Sequence, residues 1–443
     1  MITAAFILTL VAGQVAATPT TPKTKPNIVV IFCDDLGYGD VGCFGHPTIR
    51  TPEIDRMAAE GQKWSSFYVA APVCTPSRAG LMTGRLPIRN GMTSPKRVVL
   101  FPDSKGGLPA EEVTIAECLK ERGYATACFG KWHLGHLPQY LPQRQGFDEY
   151  FGIPYSNDMS AGGGAPLMRG NQVIERPVDQ TTVTRRYTDE AIRFIESHRE
   201  QPFFLYLPHT MPHVPLHASE EFRGTSPRGL YGDVVEEIDQ SVGRVLQSLR
   251  DNGLSSKTLV VFSSDNGPWL SQRLNGGSAG LLRAGKGTTF EGGMRVPTIF
   301  WWPGTITAGS HVHEMGSTLD LLATSCALSG ADLPANRTLD SLDLAPAMFG
   351  KGKSPRDTMF YYTRGELHAV RSGAYKLHLK TRHPVNYGQP PESHDPPLLF
   401  NVEVDPSEQR DIAAKHPDVV AKMRELIAVH QSGVTPVEDQ LAR

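Results

Sequence analysis

Apolar, β-branched runs closed by polar turns recur along most of the chain, with helix-like stretches among them. Strand-like runs fall at residues 27–32 (NIVVIF), 125–129, 203–207 (FFLYL), 258–263 (TLVVFS) and 296–301. Helix-like spacing covers residues 114–122, the region near 187–198 and the region near 231–252. This alternation predicts an α/β fold, a large, mixed and mainly parallel sheet sandwiched by helices. After about residue 333 the texture changes. Short runs at 359–362, 368–371 and 375–380 are separated by turn residues, and Ser372-Gly373 suits a hairpin turn. A last helix is expected over 416–430. The pattern therefore divides into a main domain at 27–335 and a smaller antiparallel α+β domain at 336–443, without internal repeats.

Composition narrows the picture. The 443 residues are 40% hydrophobic and 20% charged, ordinary for a globular chain long enough for a sizeable core. With a net charge of −2 and no concentrated basic run, nothing favours nucleic acid as a partner. Residues 4–12 (AAFILTLVA) are apolar but too short to span a bilayer comfortably, and Val15-Ala16-Ala17 resembles a cleavage site. A signal peptide is expected over 1–17, followed by a leader at 18–26 (TPTTPKTKP), which implies export to a periplasmic, extracellular or lumenal space. No Lys or Arg lies near Met1, a departure from the usual signal.

In open α/β sheets ligands bind beyond the carboxyl ends of the strands. The first run exits into Asp34-Asp35, the second into Gly130-Lys131-Trp132-His133. FFLYL exits into Pro208-His209-Thr210-Met211-Pro212-His213, and TLVVFS into Ser264-Asp265-Asn266-Gly267. Taken singly, a DD or DNG is a turn. Adjacent aspartates at a strand end repel unless a cation lies between them. The oxygen donors Asp34, Asp35, Asp265 and Asn266 suit Ca²⁺ or Mg²⁺ rather than Zn²⁺.

The segment Cys74-Thr75-Pro76-Ser77-Arg78 reads as the start of a helix, with Thr75 as N-cap and Pro76 in the first turn. A cysteine there is either a buried side chain before a helix or a reactive thiolate, as in a cysteine hydrolase. Cys74-Thr75-Pro76-Ser77-Arg78, followed by Ala79-Gly80-Leu81-Met82-Thr83-Gly84-Arg85, resembles the sulfatase signature. In that family the cysteine is oxidised to formylglycine, an aldehyde that hydrates to a geminal diol. The resemblance runs from about Asn27 to Asp405. It includes the segments 31–40, 130–135 and 285–293 and implies an alkaline-phosphatase-like fold. Gly152-Ile153-Pro154-Tyr155-Ser156 and Leu281-Leu282-Arg283 resemble the branch of arylsulfatase A and N-acetylgalactosamine-6-sulfatase.

The resemblance implies roles for matching residues. Asp34, Asp35, Asp265 and Asn266 would hold Ca²⁺ (Mg²⁺ being the alternative), with the modified Cys74 as a further ligand. Arg78 would hold the diol. Lys131 and Lys286 would bind sulfate oxygens. His133 would take a proton from the diol. His213, rather than His209, would bind sulfate and help to protonate the leaving oxygen. Ser156 would add a hydroxyl, and His394 matches a C-terminal segment near the family's pocket. Arg85 and Trp132 read as structural. The implied activity is hydrolysis of an aryl sulfate or sulfated sugar, and the implied partners are that small molecule or glycan and a formylglycine-generating maturation enzyme.

The rivals are a phosphodiester or phosphonate hydrolase of the same fold and a non-catalytic sulfoglycan binder with unmodified Cys74. Ser278 and Ala284 replace cysteines of the vertebrate arylsulfatase A pattern. With Cys74 modified, five of the six cysteines remain, and the spacing leaves a Cys118–Cys128 pair open. Specificity is expected from the loops at 159–169, 268–277 and 380–397, which carry no readable code for the substrate. Nor does any pattern reveal the oligomeric state.

Overall fold

The computed structural model describes residues 25–159, 163–386, 388–435 and 437–443. The expected signal peptide and most of the leader lie outside these residues. Among the described residues the chain forms a ten-stranded sheet and a separate four-stranded sheet. The large sheet has β1 Asn27–Cys33, β2 Gln62–Tyr68, β3 Ala125–Phe129, β4 Glu149–Gly152, β5 Leu167–Arg169, β6 Gln172–Glu175, β7 Phe203–Pro208, β8 Thr258–Ser264, β9 Thr298–Trp301 and β10 Ser310–Ser317. Their spatial order is β10-β2-β9-β8-β1-β7-β3-β4-β5-β6.

The centre of the sheet, from β8 through β1, β7 and β3 to β4, is parallel. Its strands β1, β7 and β8 are buried along their whole length, which is why they read as unbroken apolar runs. Successive β1 residues alternate between the two faces. Val29 and Ile31 join the core on one side, whereas Ile28, Val30 and Phe32 join the core on the other. Helices cover both faces, Val183–Ser197 and Leu230–Asp251 among them. The run at 296–301 shortens to β9 and is antiparallel to both β8 and β2, which makes the sheet mixed.

The small sheet is antiparallel: β11 Thr358–Thr363, β12 Glu366–Ser372, β13 Tyr375–Thr381 and β14 Glu392–Asn401. Its last strand escapes the sequence pattern because it contains Pro396 and Pro397, which remove ladder donors. As an edge strand it tolerates them, at a register shift opposite His378–Lys380.

A buried ionic cluster joins the small sheet to the main body. Lys376 Nζ on β13 lies 2.9 Å from Glu291 and 3.2 Å from Glu408, and all three side chains are fully buried. His378 lies 2.7 Å from Glu408, and Arg295 lies 2.8 Å from Glu291. Burial raises the Glu291 carboxyl, but Lys376, Arg295 and Arg371 outweigh it and hold that group well down. Removing one member leaves uncompensated buried charge. Lys376→Met is therefore expected to lower unfolding free energy by about 3–5 kcal/mol, read from urea denaturation. A change within about 0.5 kcal/mol, the range of ordinary surface substitutions, would contradict the role of this cluster.

None of the six cysteines takes part in a disulfide. The Cys118 thiol meets Cys326 on the helix Asp320–Ser329, not Cys128, which is buried in β3. No helix among the described residues is long and apolar enough to cross a membrane.

Candidate active site and metal centre

The strand register assembles the site. Cys33 pairs with Ser264 in the parallel β1–β8 ladder, so Asp34-Asp35 and Asp265-Asn266 leave the sheet side by side. Asp265 N donates to Cys33 O at 3.1 Å, and Asp35 N donates to Asp265 Oδ1 at 3.1 Å. Asp35 adopts φ 66, a left-handed conformation that aspartate tolerates better than most residues and that turns its carboxylate into the site. At the end of β3, a Cβ on Gly130 would lie 1.9 Å from Pro208 O; only glycine lets the Lys131 turn pass this close to β7.

Cys74 is the first residue of the helix Cys74–Thr83. Its N-cap is Val73 rather than Thr75. The Thr75 hydroxyl instead donates to His133 O at 3.1 Å and accepts from Leu100 N at 3.2 Å, tying this helix to the His133 loop. Ligand atoms of Asp34, Asp35, Cys74 and His213 all lie within 4.8 Å of one another. The Cys74 thiol donates to Asp34 Oδ1 at 3.4 Å. Burial pushes this thiol well up, against the weaker pull of Lys131 and Lys286, so it stays protonated at neutral pH.

Cations ring the cluster. Lys131 Nζ lies 2.5 Å from Asp34 Oδ2 and donates to Ser156 Oγ at 3.3 Å. Lys286 Nζ lies 2.7 Å from Asp35 Oδ2. Its loop is held by Lys286 N to Pro268 O at 2.9 Å and Gly287 N to Pro72 O at 2.7 Å. Arg78, expected at the diol, forks onto Asp265 Oδ2 through Nε at 3.0 Å and Nη2 at 2.8 Å, and its Nη2 lies 3.6 Å from Asp34 Oδ1, the atom that accepts from Cys74. It also donates to Lys131 O at 3.0 Å. Burial raises the Asp34 carboxyl, but Lys131, His213, Arg78 and Lys286 together hold it well below the usual range. Burial and the adjacent Asp34 charge raise Asp265 to about 7 despite Arg78.

The histidines divide by partner. His133 Nε2 lies 2.9 Å from Leu100 O, an acceptor, so Nε2 carries the proton and Nδ1 a lone pair. That Nδ1 is buried without a hydrogen-bond partner. Burial, then Lys131, holds the ring well below the usual range and hence neutral. His213 Nδ1 donates to Val214 O at 2.6 Å, leaving Nε2 3.6 Å from Asp35. His209 turns away to Ser241 at 3.2 Å, and burial lowers it to about 4. His394 hydrogen-bonds at 2.8 Å to Thr381 within the small sheet, not to a member of the cluster among the described residues. Arg85 pairs with Glu112, and buried Trp132 donates to Tyr140 O at 2.8 Å.

Sequence reading missed two residues. Tyr206, the polar position in FFLYL, places its hydroxyl 3.5 Å from Arg78. Trp269, inside the expected specificity loop, places its ring 4.3 Å from Lys286 Nζ.

The cluster fits a hard cation. Its donors are mainly oxygens, and Asn266 Oδ1 is buried without a hydrogen-bond partner while Asn266 Nδ2 donates to Asp35 Oδ1 at 2.7 Å. A cradle of this kind, ringed by buried ammonium and guanidinium groups at the carboxyl ends of a mainly parallel sheet, suits an enzyme acting on an anionic ester. The sulfatase family model matches residues 26–331, and a model for the C-terminal region of aryl-sulfatase matches residues 354–443. Human (Homo sapiens) arylsulfatase A is 42% identical, over 95% of this chain and 89% of its own. Mouse (Mus musculus) N-acetylgalactosamine-6-sulfatase is 41% identical, over 99% of this chain and 92% of its own. The solved PsFucS1 sulfatase of Pseudoalteromonas sp. superposes with a TM-score of 0.84 at 30% identity, covering 92% of this chain and 90% of that one. The chain belongs to the sulfatase family and is a sulfuric ester hydrolase.

Proposed function

We propose that this enzyme hydrolyses the sulfate ester of an aryl alcohol or a sugar, with Cys74 converted to formylglycine and Ca²⁺ held by Asp34, Asp35, Asp265 and Asn266. The observation that carries the reading is the position of Cys74. Its Sγ, standing where the modified group would be, lies in the same 4.8 Å cluster as Asp34, Asp35 and His213. The names of the two relatives, an arylsulfatase and an N-acetylgalactosamine-6-sulfatase, supply the two substrate classes.

A hydrated aldehyde at Cys74 would supply one hydroxyl to attack sulfur and a second whose deprotonation would expel sulfate and restore the aldehyde. A divalent cation held by Asp34, Asp35, Asp265 and Asn266 would lower the pKa of that nucleophile and offset charge on the sulfate. The chain's own side chains do the rest. Three carboxylates (Asp34, Asp35, Asp265) face three buried cations (Arg78, Lys131, Lys286), so a bound divalent ion leaves a net positive site suited to an anionic ester. Lys131 and Lys286 donate to the sulfate oxygens, and Ser156 orients Lys131. Arg78 holds Asp265 and, beside Asp34, would hydrogen-bond the diol at Cys74. His133 accepts a proton at Nδ1. His213 presents Nε2 to the sulfate and, once protonated beside the bound anion, hands its proton to the leaving oxygen.

His213→Ala is expected to lower kcat by about 100-fold or more. His209→Ala should instead lower the melting temperature with little change in kcat, because His209 faces Ser241. Steady-state kinetics and thermal melts on both variants check this, and equal kcat losses would contradict the assignment. Peptide mass spectrometry of protein from its natural source tests the modification: an aldehyde at Cys74 supports it, and an intact thiol sinks it. Secretion through a cleaved segment at 1–17 is part of the same proposal and is read from the mature N-terminus.

A further inference from the structure

Thr75 follows Cys74 on the helix Cys74–Thr83 and is fully buried. A hydroxyl at a helix N-terminus commonly serves its own helix. This one bonds outwards instead, to two loops that are distant in the chain. It donates to His133 O at 3.1 Å and accepts from Leu100 N at 3.2 Å. His133 Nε2 in turn lies 2.9 Å from Leu100 O, so the residue that hangs from Thr75 also takes the ring proton of His133. Residues 75, 100 and 133 thus close a ring of three hydrogen bonds, and the Thr75 hydroxyl makes two of them.

Neither loop holds this geometry by a regular ladder. Leu100 belongs to no helix or strand. His133 has φ 59, in the left-handed region that a side chain enters at a cost and keeps only when its surroundings hold it there. Its amide donates to Pro154 O at 3.2 Å, and its carbonyl is held by Thr75. The residue is therefore pinned on both sides, and its strained turn aims the ring. Among the described residues, its Nδ1 is buried without a hydrogen-bond partner. An imidazole that kept only its bond to Leu100 would be anchored to a segment that had itself lost its tether to the helix.

We propose that Thr75 is a positioning residue: its buried hydroxyl fixes the orientation and the tautomer of His133 relative to the group at position 74. The inference rests on the reading of His133 as the acceptor of the diol proton. In that step the free hydroxyl of a sulfated diol would give its proton to Nδ1, and its O–H electrons would form the C=O of the aldehyde. The C–O bond to sulfate would break, and its electron pair would leave with the sulfate. The transfer needs Nδ1 unprotonated and aimed at the group on residue 74. Residues 74 and 75 are neighbours on one helix, so the bond from Thr75 to His133 O ties the acceptor to the same frame as the donor.

The test compares Thr75→Val, which removes the hydroxyl, with Thr75→Ser, which restores it. Thr83→Val is the control, since it removes a buried hydroxyl that bonds Ala79 O and Asn90 at the other end of the same helix. Rates on p-nitrophenyl sulfate are referred to the aldehyde content of each protein, read by peptide mass spectrometry. Slower expulsion of sulfate holds the enzyme in its sulfated form, so kcat and KM fall together while kcat/KM is kept. In Thr75→Val both are expected to fall about ten-fold or more, and Thr75→Ser should recover most of the loss. A fall in kcat at constant KM, or equal losses in Thr75→Val and Thr83→Val, means that the hydroxyl only supports the fold and overturns the proposal. A second measurement is independent of turnover and of the modification. Long-range nitrogen–proton NMR spectra of the histidine rings are recorded on protein that keeps the Cys74 thiol, with the His133 signals assigned by their loss in His133→Gln. They should show a single Nε2–H tautomer in the wild type and Thr75→Ser, and a mixed or exchange-broadened ring in Thr75→Val; an unchanged ring in Thr75→Val overturns the proposal. If His133→Gln keeps full kcat, the reading of His133 as proton acceptor fails, and the spectra still decide whether Thr75 fixes the ring.

Discussion

Cys74→Ser is expected to abolish steady-state turnover, with kcat lower by on the order of 10⁴-fold or more, while the fold is retained. The serine oxygen would occupy the position of Sγ, in the same cluster as Asp34, Asp35 and His213, and the buried side chain changes little in volume. Attack on sulfur remains possible in principle, because the cations that stabilise the sulfate oxygens are untouched. What is lost is the second hydroxyl. A serine sulfate has no adjacent O–H whose deprotonation can expel the sulfate, so the enzyme should stall as a covalent ester. Intact-mass analysis after incubation with an aryl sulfate is expected to show the gain of one SO₃ per chain. Unimpaired multiple turnover by Cys74→Ser would contradict the role given to the hydrated aldehyde. Circular dichroism and melting curves matching the wild type separate loss of chemistry from loss of structure.

Asp35→Ala carries the second large effect, a loss of activity on the order of 10³-fold or more with loss of the bound cation. Asp35 is shared among three side chains. One oxygen accepts from Asn266, the other faces Lys286 at 2.7 Å and His213 at 3.6 Å, and the group belongs to the proposed cation cradle. Its removal leaves the Lys286 ammonium buried without its carboxylate and lets Asn266 and Lys286 shift. Metal analysis of the purified variant should show substoichiometric calcium where the wild type holds about one ion per chain, the occupancy expected of a single oxygen-rich cradle. Chelation of the wild type should reproduce the activity loss, and added Ca²⁺ should reverse it. Full metal content together with full activity in Asp35→Ala would remove Asp35 from the ligand set.

The central strands were legible in the sequence because they are buried on both faces. A strand of that kind must be apolar at every position, and β1, β7 and β8 are. The outlying strands hid for the opposite reason. β2 (QKWSSFY) and β10 (SHVHEMGS) mix polar and apolar residues, and β14 contains two prolines. Pairing with neighbours distant in the chain, not a local preference, makes them strands. The Thr75 cap was misread for a similar reason: its hydroxyl is taken by Leu100 and His133, partners that local sequence does not reveal.

By itself the sequence determined the α/β character of the main domain, the antiparallel character of the C-terminal part, and which chemical groups stand at the strand exits. Those properties depend on residue period and on what immediately follows each apolar run. Only the tertiary structure decided that Arg78 grips Asp265, that His133 keeps its lone pair on Nδ1, that Cys118 meets Cys326, and that Trp269 borders Lys286. Each of these contacts joins residues far apart in the chain. Strand register and helix packing set their distances, and burial then fixes which groups are charged and which hydrogen bonds they make.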